Sequence, residues 1–79
     1  MKKTLSQILN TSEKSLAEIA RDLNVSVSAV SYWHVERSFP RREYWKKLES
    51  ILKDEELDML YAYEMFLHVQ KKRLLESRS

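Results

Sequence analysis

Residues 15–33 read SLAEIARDLNVSVSAVSYW, and this stretch decides the fold. Ser15 is followed three residues later by Glu18, which is the spacing of a capping box, where each side chain bonds a backbone N–H that has no helical partner. Apolar residues then recur at i, i+3, i+4 and i+7, which predicts one buried helix face: Leu16, Ile19, Ala20 and Leu23. The stretch therefore begins with a short amphipathic helix.

A second helix is predicted over residues 26–34, directly after a tight bend. Ser26 is a good N-cap, and Asn24 suits the left-handed backbone of the bend because Asn tolerates it better than most residues. The small side chain of Ala20 lets the two helices cross closely. The valines would also suit a strand, but the sequence has no second strand-like run to pair with, and an isolated strand is unstable.

Hydrophobic spacing predicts three further helices, over residues 4–10, 41–53 and 55–75. The acidic run from Asp54 to Asp58 is placed at the start of the last helix, where the helix dipole favours negative charge. The predicted fold class is therefore all-α, with five helices.

The chain is short enough to be one compact domain. We divide it into a helix-turn-helix core, residues 1–53, and a C-terminal helical segment, residues 54–79, that packs on the core. The tail, residues 77–79, is expected to be frayed.

Composition restricts the chemistry that this chain can perform. The 79 residues include no cysteine and no glycine, so disulfides and glycine-rich phosphate loops are excluded. The two histidines, His34 and His68, have no supporting ligand motif, and we expect no metal site and no cofactor. The sequence offers no carboxylate pair or nucleophile–base pair, so we do not expect an enzyme, and no segment that would form a small-molecule pocket is evident.

The apolar runs are too short for a membrane span, the longest being residues 59–63. The start of the chain has no apolar run of the length of a secretory signal. We therefore expect a cytoplasmic protein with no membrane partner.

Charge is distributed unevenly along the chain. Residues 1–53 hold ten Lys/Arg and six Asp/Glu, which gives +4, while residues 54–79 hold four and six, which gives −2. The first two-thirds are thus better suited to a polyanionic partner.

Residues 15–33, with the loop that ends at Phe39-Pro40, resemble the Cro/Xre-type helix-turn-helix regulators of phages and bacteria. The resemblance covers roughly residues 4–52, and the family pattern is matched at Ile19-Ala20, Val25-Ser26, Val30-Ser31, Trp33 and Pro40. Asn24 replaces the turn glycine of the family, and Glu36 or a neighbour replaces the loop glycine. The resemblance implies a lambda-repressor-like fold and binding to double-stranded DNA.

Carried over position by position, the resemblance implies that the second helix of the pair faces the base edges with Ser26, Val27, Ser28, Ser31 and Tyr32. No Arg, Gln or Asn lies on this face to make a bidentate base contact. We therefore expect modest specificity for each half-site, supplemented by DNA shape or by pairing of two half-sites.

Phosphate contacts are expected from the basic residues that flank this helix: Lys14, Arg37, Arg41 and Arg42. Arg21 and Lys46 are weaker candidates. Such contacts set affinity and register rather than sequence preference.

The last predicted helix is apolar around most of its circumference between residues 59 and 69. One explanation is a two-fold homodimer, which would place two recognition helices about one DNA turn apart. Its interface would include Met59, Leu60, Tyr63, Phe66 and Leu67. The alternative is that this helix is central in the monomer and fully buried there.

The leading functional hypothesis is a repressor that binds operator DNA as a homodimer. A second hypothesis is a protein-interaction module of the same fold, serving as an antitoxin, antirepressor or adaptor with weak or no DNA binding. The lack of strong hydrogen-bonding side chains on the base-contact face keeps this second hypothesis open.

Overall fold

The computed structural model describes residues 2–77, and this part of the chain is all-helical. Apart from a single β-bridge between Lys3 and Leu57, it contains no strand. A 3-10 turn, Arg42–Tyr44, leads into the fourth helix. The five helices are α1 (Leu5–Thr11), α2 (Leu16–Leu23), α3 (Val27–His34), α4 (Trp45–Leu52) and α5 (Met59–Glu76). This confirms the prediction of an all-α fold with five helices. Residues 78 and 79 of the expected tail lie outside the described residues.

The first two helices each begin at a capping box. Thr4 Oγ1 accepts a hydrogen bond from Gln7 N at 3.2 Å, and Gln7 Oε1 accepts one from Thr4 N at 2.9 Å. Ser15 and Glu18 repeat this reciprocal arrangement at the start of α2. Both pairs satisfy backbone donors that the helix cannot satisfy itself, so these helix starts are fixed by local sequence.

The hydrophobic core is formed by all five helices. Its fully buried members include Ile8 in α1, Ile19 in α2, Val30 in α3 and Leu48 in α4. Burying a side chain of this size stabilises the fold by roughly 1.5–3 kcal/mol. Because Val30 and Trp33 anchor one side of α3 in this core, its other side is turned outward.

The fifth helix begins later than the sequence indicates. The expected start at residue 55 is wrong, because Asp58 is the N-cap, and its Oδ1 accepts hydrogen bonds from Leu60 N at 3.1 Å and Tyr61 N at 3.2 Å. The preceding residues are held in a turn, where Lys3 N donates to Glu56 O at 3.2 Å. Pairing with the start of the chain therefore keeps the acidic run out of the helix.

The inner face of α5 closes the core with Met59 and Ala62, both only 2% exposed. Met59 was expected at a subunit interface, but its burial in the chain's own core leaves it no surface for a partner. The apolar pattern around α5 is thus partly explained within the monomer.

Candidate nucleic-acid interface

The bend between α2 and α3 is built on a left-handed residue, as the sequence predicts. Asn24 has φ 58° and ψ 45°, and its N–H donates to the carbonyls of Ala20 and Arg21. Val25 N also donates to Ala20 O, at 2.9 Å, so the carbonyls of Ala20 and Arg21 in the last turn of α2 are satisfied. Ala20 is almost fully buried. These bonds fix the direction in which α3 leaves α2.

The outward side of α3 carries the five predicted base-contact residues. Val27 and Tyr32 are 51% and 50% exposed. Ser26 and Ser28 are also exposed, while Ser31 is half-buried. Helical spacing places Val27, Ser31 and Tyr32 on one continuous side, opposite the buried positions of the same helix. The structure therefore brings these residues onto one surface.

The polar chemistry of this surface comes from hydroxyl groups. Ser26 Oγ accepts a hydrogen bond from Ala29 N at 3.1 Å, so it caps α3 and retains a proton that it can donate outward. The hydroxyls of Ser28, Ser31 and Tyr32 can each donate and accept. With the methyl groups of Val27, such a face suits thymine methyls and single hydrogen bonds to base edges.

Three of the predicted phosphate contacts lie in the segment after α3. Arg37, Arg41 and Arg42 are all exposed. The guanidinium of Arg42 lies over the ring of Trp45, 5.1 Å from the ring centroid, which holds this side chain against the start of α4. These three exposed arginines thus lie between the end of α3 and the start of α4.

Lys14, the fourth predicted phosphate contact, is engaged in an ion pair. Its Nζ lies 2.8 Å from Asp22 Oδ2, in the same α1–α2 region of the surface. The hydrogen bond from Lys14, with its positive charge, lowers the pKa of Asp22 below the ordinary value. A phosphate at Lys14 would therefore compete with Asp22.

The loop after α3 is fixed by contacts that sequence reasoning missed. Glu36 adopts a left-handed conformation with φ 62°. Its carbonyl accepts hydrogen bonds from Gln70 Nε2 and from Arg73 Nη1, the latter at 3.2 Å, both on α5. The spacing of Gln70 and Arg73 from the buried Ala62 could have placed them on the inner side of α5, but it names no partner.

An aromatic cluster holds the end of the same loop. The ring of Phe39 lies 5.8 Å from that of Trp45, 5.3 Å from Tyr63 and 5.5 Å from Phe66, measured between centroids. Trp45 Nε1 donates to the carbonyl of Pro40 at 2.9 Å. Trp45 is therefore a packing residue, as its helical spacing indicates.

The residues predicted for a dimer interface fall into three groups in the structure. Met59 is in the core, and Tyr63 and Phe66 are half-buried in the aromatic cluster. Leu60 and Leu67 are exposed. Of the five, these last two alone leave about half of their surface outward.

Among residues 2–77, no helix is long and apolar enough to cross a membrane. In the same part of the chain, no group of three or more His, Asp or Glu side chains is arranged to hold a metal ion. Comparisons of the chain with family models, with curated proteins and with solved structures found no match.

Proposed function

We propose that this protein is a sequence-specific DNA-binding regulator of transcription, a repressor of the Cro/Xre type that acts as a homodimer. The observation that carries the proposal is the outward side of α3, which is held by a fixed bend and followed by three exposed arginines. With eight residues, α3 is about 12 Å long. The major groove is about 12 Å wide, which is wide enough to admit an α-helix.

In this proposal the two kinds of contact have separate roles. Arg37, Arg41 and Arg42 bind phosphates on the side of the groove and set register and salt dependence. Residues 26–34 enter the groove, where hydroxyls and the methyl groups of Val27 distinguish base edges. No catalytic step and no cofactor are part of this function, and its place is the cytoplasm.

Recognition of each DNA half-site is expected to be weak because of the side chains on the outward side of α3. The outward side of α3 has no Arg, Gln or Asn to make a bidentate contact. A homodimer compensates because two half-sites are bound together, and their spacing adds a further requirement on the DNA. This supports a two-fold dimer as the acting form.

The test is a titration of the purified protein against the DNA upstream of its own gene and against an unrelated duplex, at several salt concentrations. We expect tight binding to the upstream DNA, a steep salt dependence, and a preference of about 10³ or more over the unrelated duplex. Absence of binding to either duplex at low salt would contradict the proposal.

One observation favours a second candidate, a protein-interaction module such as an antitoxin, antirepressor or adaptor. Val27 and Tyr32 on α3 and Val35 at its C-cap are each about half exposed, and exposed apolar side chains also suit protein contacts. Under this candidate, alanine at both Arg41 and Arg42 would leave function unchanged, whereas a DNA-binding regulator would lose affinity.

A further inference from the structure

The outer side of α5 carries a row of exposed leucines. Leu60, Leu67 and Leu74 are 52%, 47% and 60% exposed. They recur every seven residues, so they lie within about 40° of one another around the helix and span about 21 Å along it. Glu64 and Lys71 lie on the same side, and we call these five residues the leucine row.

The leucine row faces away from the chain's own core. Met59 and Ala62 on the opposite side of α5 are buried, while beyond Gln70 the described residues of α5 are exposed all round. Within residues 2–77, each of the three leucines keeps about half or more of its surface exposed, and leucines aligned along one helix face at seven-residue spacing are typical of a face that packs against another helix.

The order of Glu64 and Lys71 along the leucine row favours one orientation of a second copy of the chain. Glu64 lies between the first and second leucines, and Lys71 lies between the second and third. Two parallel copies would bring Glu64 against Glu64 and Lys71 against Lys71. Two antiparallel copies centred on Leu67 bring Leu60 opposite Leu74 and place Glu64 about 1.5 Å, one residue rise, from the level of Lys71 on the other helix.

The residues around the two ends of α5 are also complementary in charge. At its start, the exposed Glu49 and Glu55 line an open cleft of about 510 Å³ together with Leu60. Lys2 also lines this cleft, but its charge is paired with Asp58. At the other end of α5, Lys71 and Lys72 are exposed and basic. Antiparallel packing brings the basic end of each helix to the acidic end of the other, and parallel packing does not.

From these observations we infer that the leucine row binds a second copy of this chain in antiparallel orientation, centred on Leu67, with Glu64 of each copy paired with Lys71 of the other. This inference rests on the homodimer included in the proposed function and specifies the face and direction of its interface.

The face is tested by sedimentation equilibrium without DNA. Leu67→Glu places a charge at the centre of the row, and we expect its dimer dissociation constant to rise at least 100-fold. Val35→Glu is the matched control, because Val35 is 48% exposed but lies at the C-cap of α3, away from α5 in sequence. It should leave the dimer unchanged. Equal loss of dimer in both variants, or a wild-type protein that is monomeric at millimolar concentration, would overturn the inference.

The direction is tested by charge reversal. Glu64→Lys and Lys71→Glu should each weaken the dimer about tenfold, because each turns two attractive pairs into repulsive ones. The double variant should recover wild-type affinity, and an equimolar mixture of the two single variants should form mainly heterodimers. Parallel packing also predicts the heterodimer, but it predicts no loss of affinity in either single variant, because like charges already face each other in the wild type. Unchanged dimer affinity in both single variants would therefore overturn the antiparallel orientation.

Cross-linking gives an independent answer because the chain has no cysteine of its own. A mixture of Leu60→Cys and Leu74→Cys proteins should form a disulfide-linked heterodimer under mild oxidation, while Leu60→Cys alone should not cross-link. The reverse pattern would overturn the inference. A dimer with the expected cross-linking that binds no DNA removes the proposed function and leaves the inference standing. A dimer that binds its operator but lacks this cross-linking removes the inference and leaves the proposed function standing.

Discussion

The side-chain amide of Gln70 donates a hydrogen bond to the main-chain carbonyl of Glu36, which joins α5 to the loop that follows α3. Glu36 holds a left-handed conformation without being glycine or asparagine, and that conformation is unfavourable for a residue with a Cβ atom. The bond from Gln70, with a second one from Arg73, therefore stabilises a backbone that local sequence does not favour.

Replacing Gln70 by alanine removes one of these two bonds. We expect the free energy of unfolding to fall by about 1 kcal/mol, and DNA affinity to fall because the loop leading to Arg37 is less well fixed. Urea unfolding and the salt titration measure these two effects. His68→Ala, at an exposed position on the same helix, is the control and should change neither.

The paired substitution of Arg41 and Arg42 by alanine tests the phosphate contacts. Each lost contact should lower the salt slope by about one, so affinity for specific and unrelated DNA should fall together. Lys72→Ala removes one exposed charge from α5, and comparison with Arg41→Ala alone separates position from net charge. Identical effects of these two single variants would mean that no phosphate lies at Arg41.

Substitutions on the outward side of α3 should change the preference for the operator over unrelated DNA, while the affinity for unrelated DNA stays the same. Val27→Ala removes methyl groups that we place against a thymine, and we expect the discrimination between operator and unrelated duplex to fall by about 1–3 kcal/mol. Because Val27 is half exposed, the thermal midpoint should hardly change. The competition titration that measures this should show unrelated DNA bound as before, and a parallel loss on both duplexes would argue against a base contact.

Glycine at position 53 should stabilise the protein. Lys53 ends α4 in a left-handed conformation, with φ 48° and ψ 38°, which costs a residue with a Cβ atom about 1–2 kcal/mol. Part of this gain is offset by the greater freedom of glycine in the unfolded chain, so we expect a net rise of about 0.5–1 kcal/mol. Lys47→Gly, in the interior of the same helix, should instead destabilise by about 1 kcal/mol. Urea denaturation of both variants measures the contrast.

The N-cap of α5 should make stability depend on pH. The hydrogen bond from Lys2, followed by the backbone bond from Tyr61, lowers the pKa of Asp58 below its ordinary value of 3.8. A carboxyl group with a lowered pKa in the folded state contributes stability above the unfolded pKa, and that contribution is lost as pH falls through the folded pKa.

Asp58→Asn should therefore lower the thermal midpoint at pH 7 and reduce its decline below about pH 4. Asparagine still caps the helix, so the change isolates the charge. Glu13→Gln in the α1–α2 loop is the control for loss of one negative charge. A decline in acid as steep in Asp58→Asn as in the wild type would show that Asp58 does not contribute to it.

The parts of the fold that the sequence predicts well are those fixed by neighbouring residues. Ser15 and Glu18 satisfy each other within one helical turn, and Asn24 adopts its left-handed conformation next to the carbonyls that it bonds. The sequence predicts which side of α3 faces outward because Val30 and Trp33, which are buried in the core, lie on the same short helix.

What the sequence does not predict depends on residues far apart in the chain. The first residue of α5 is decided by the bridge between Lys3 and Leu57, since an acidic run offers several equivalent caps. The sequence wrongly predicts Met59 at an interface because an apolar pattern does not show on which side of a helix the core lies. The partners of Glu36 are 34 and 37 residues away, and no local pattern names them.

The contacts of Glu36 have a consequence for folding. A chain that stopped after Lys53 would lose the donors on Gln70 and Arg73, and with them Met59 and Ala62, which complete the core. The α2–turn–α3 unit is therefore not a detachable module. Its loop and α5 should melt in one cooperative transition, so any condition that loosens α5 also removes the surface proposed to bind DNA.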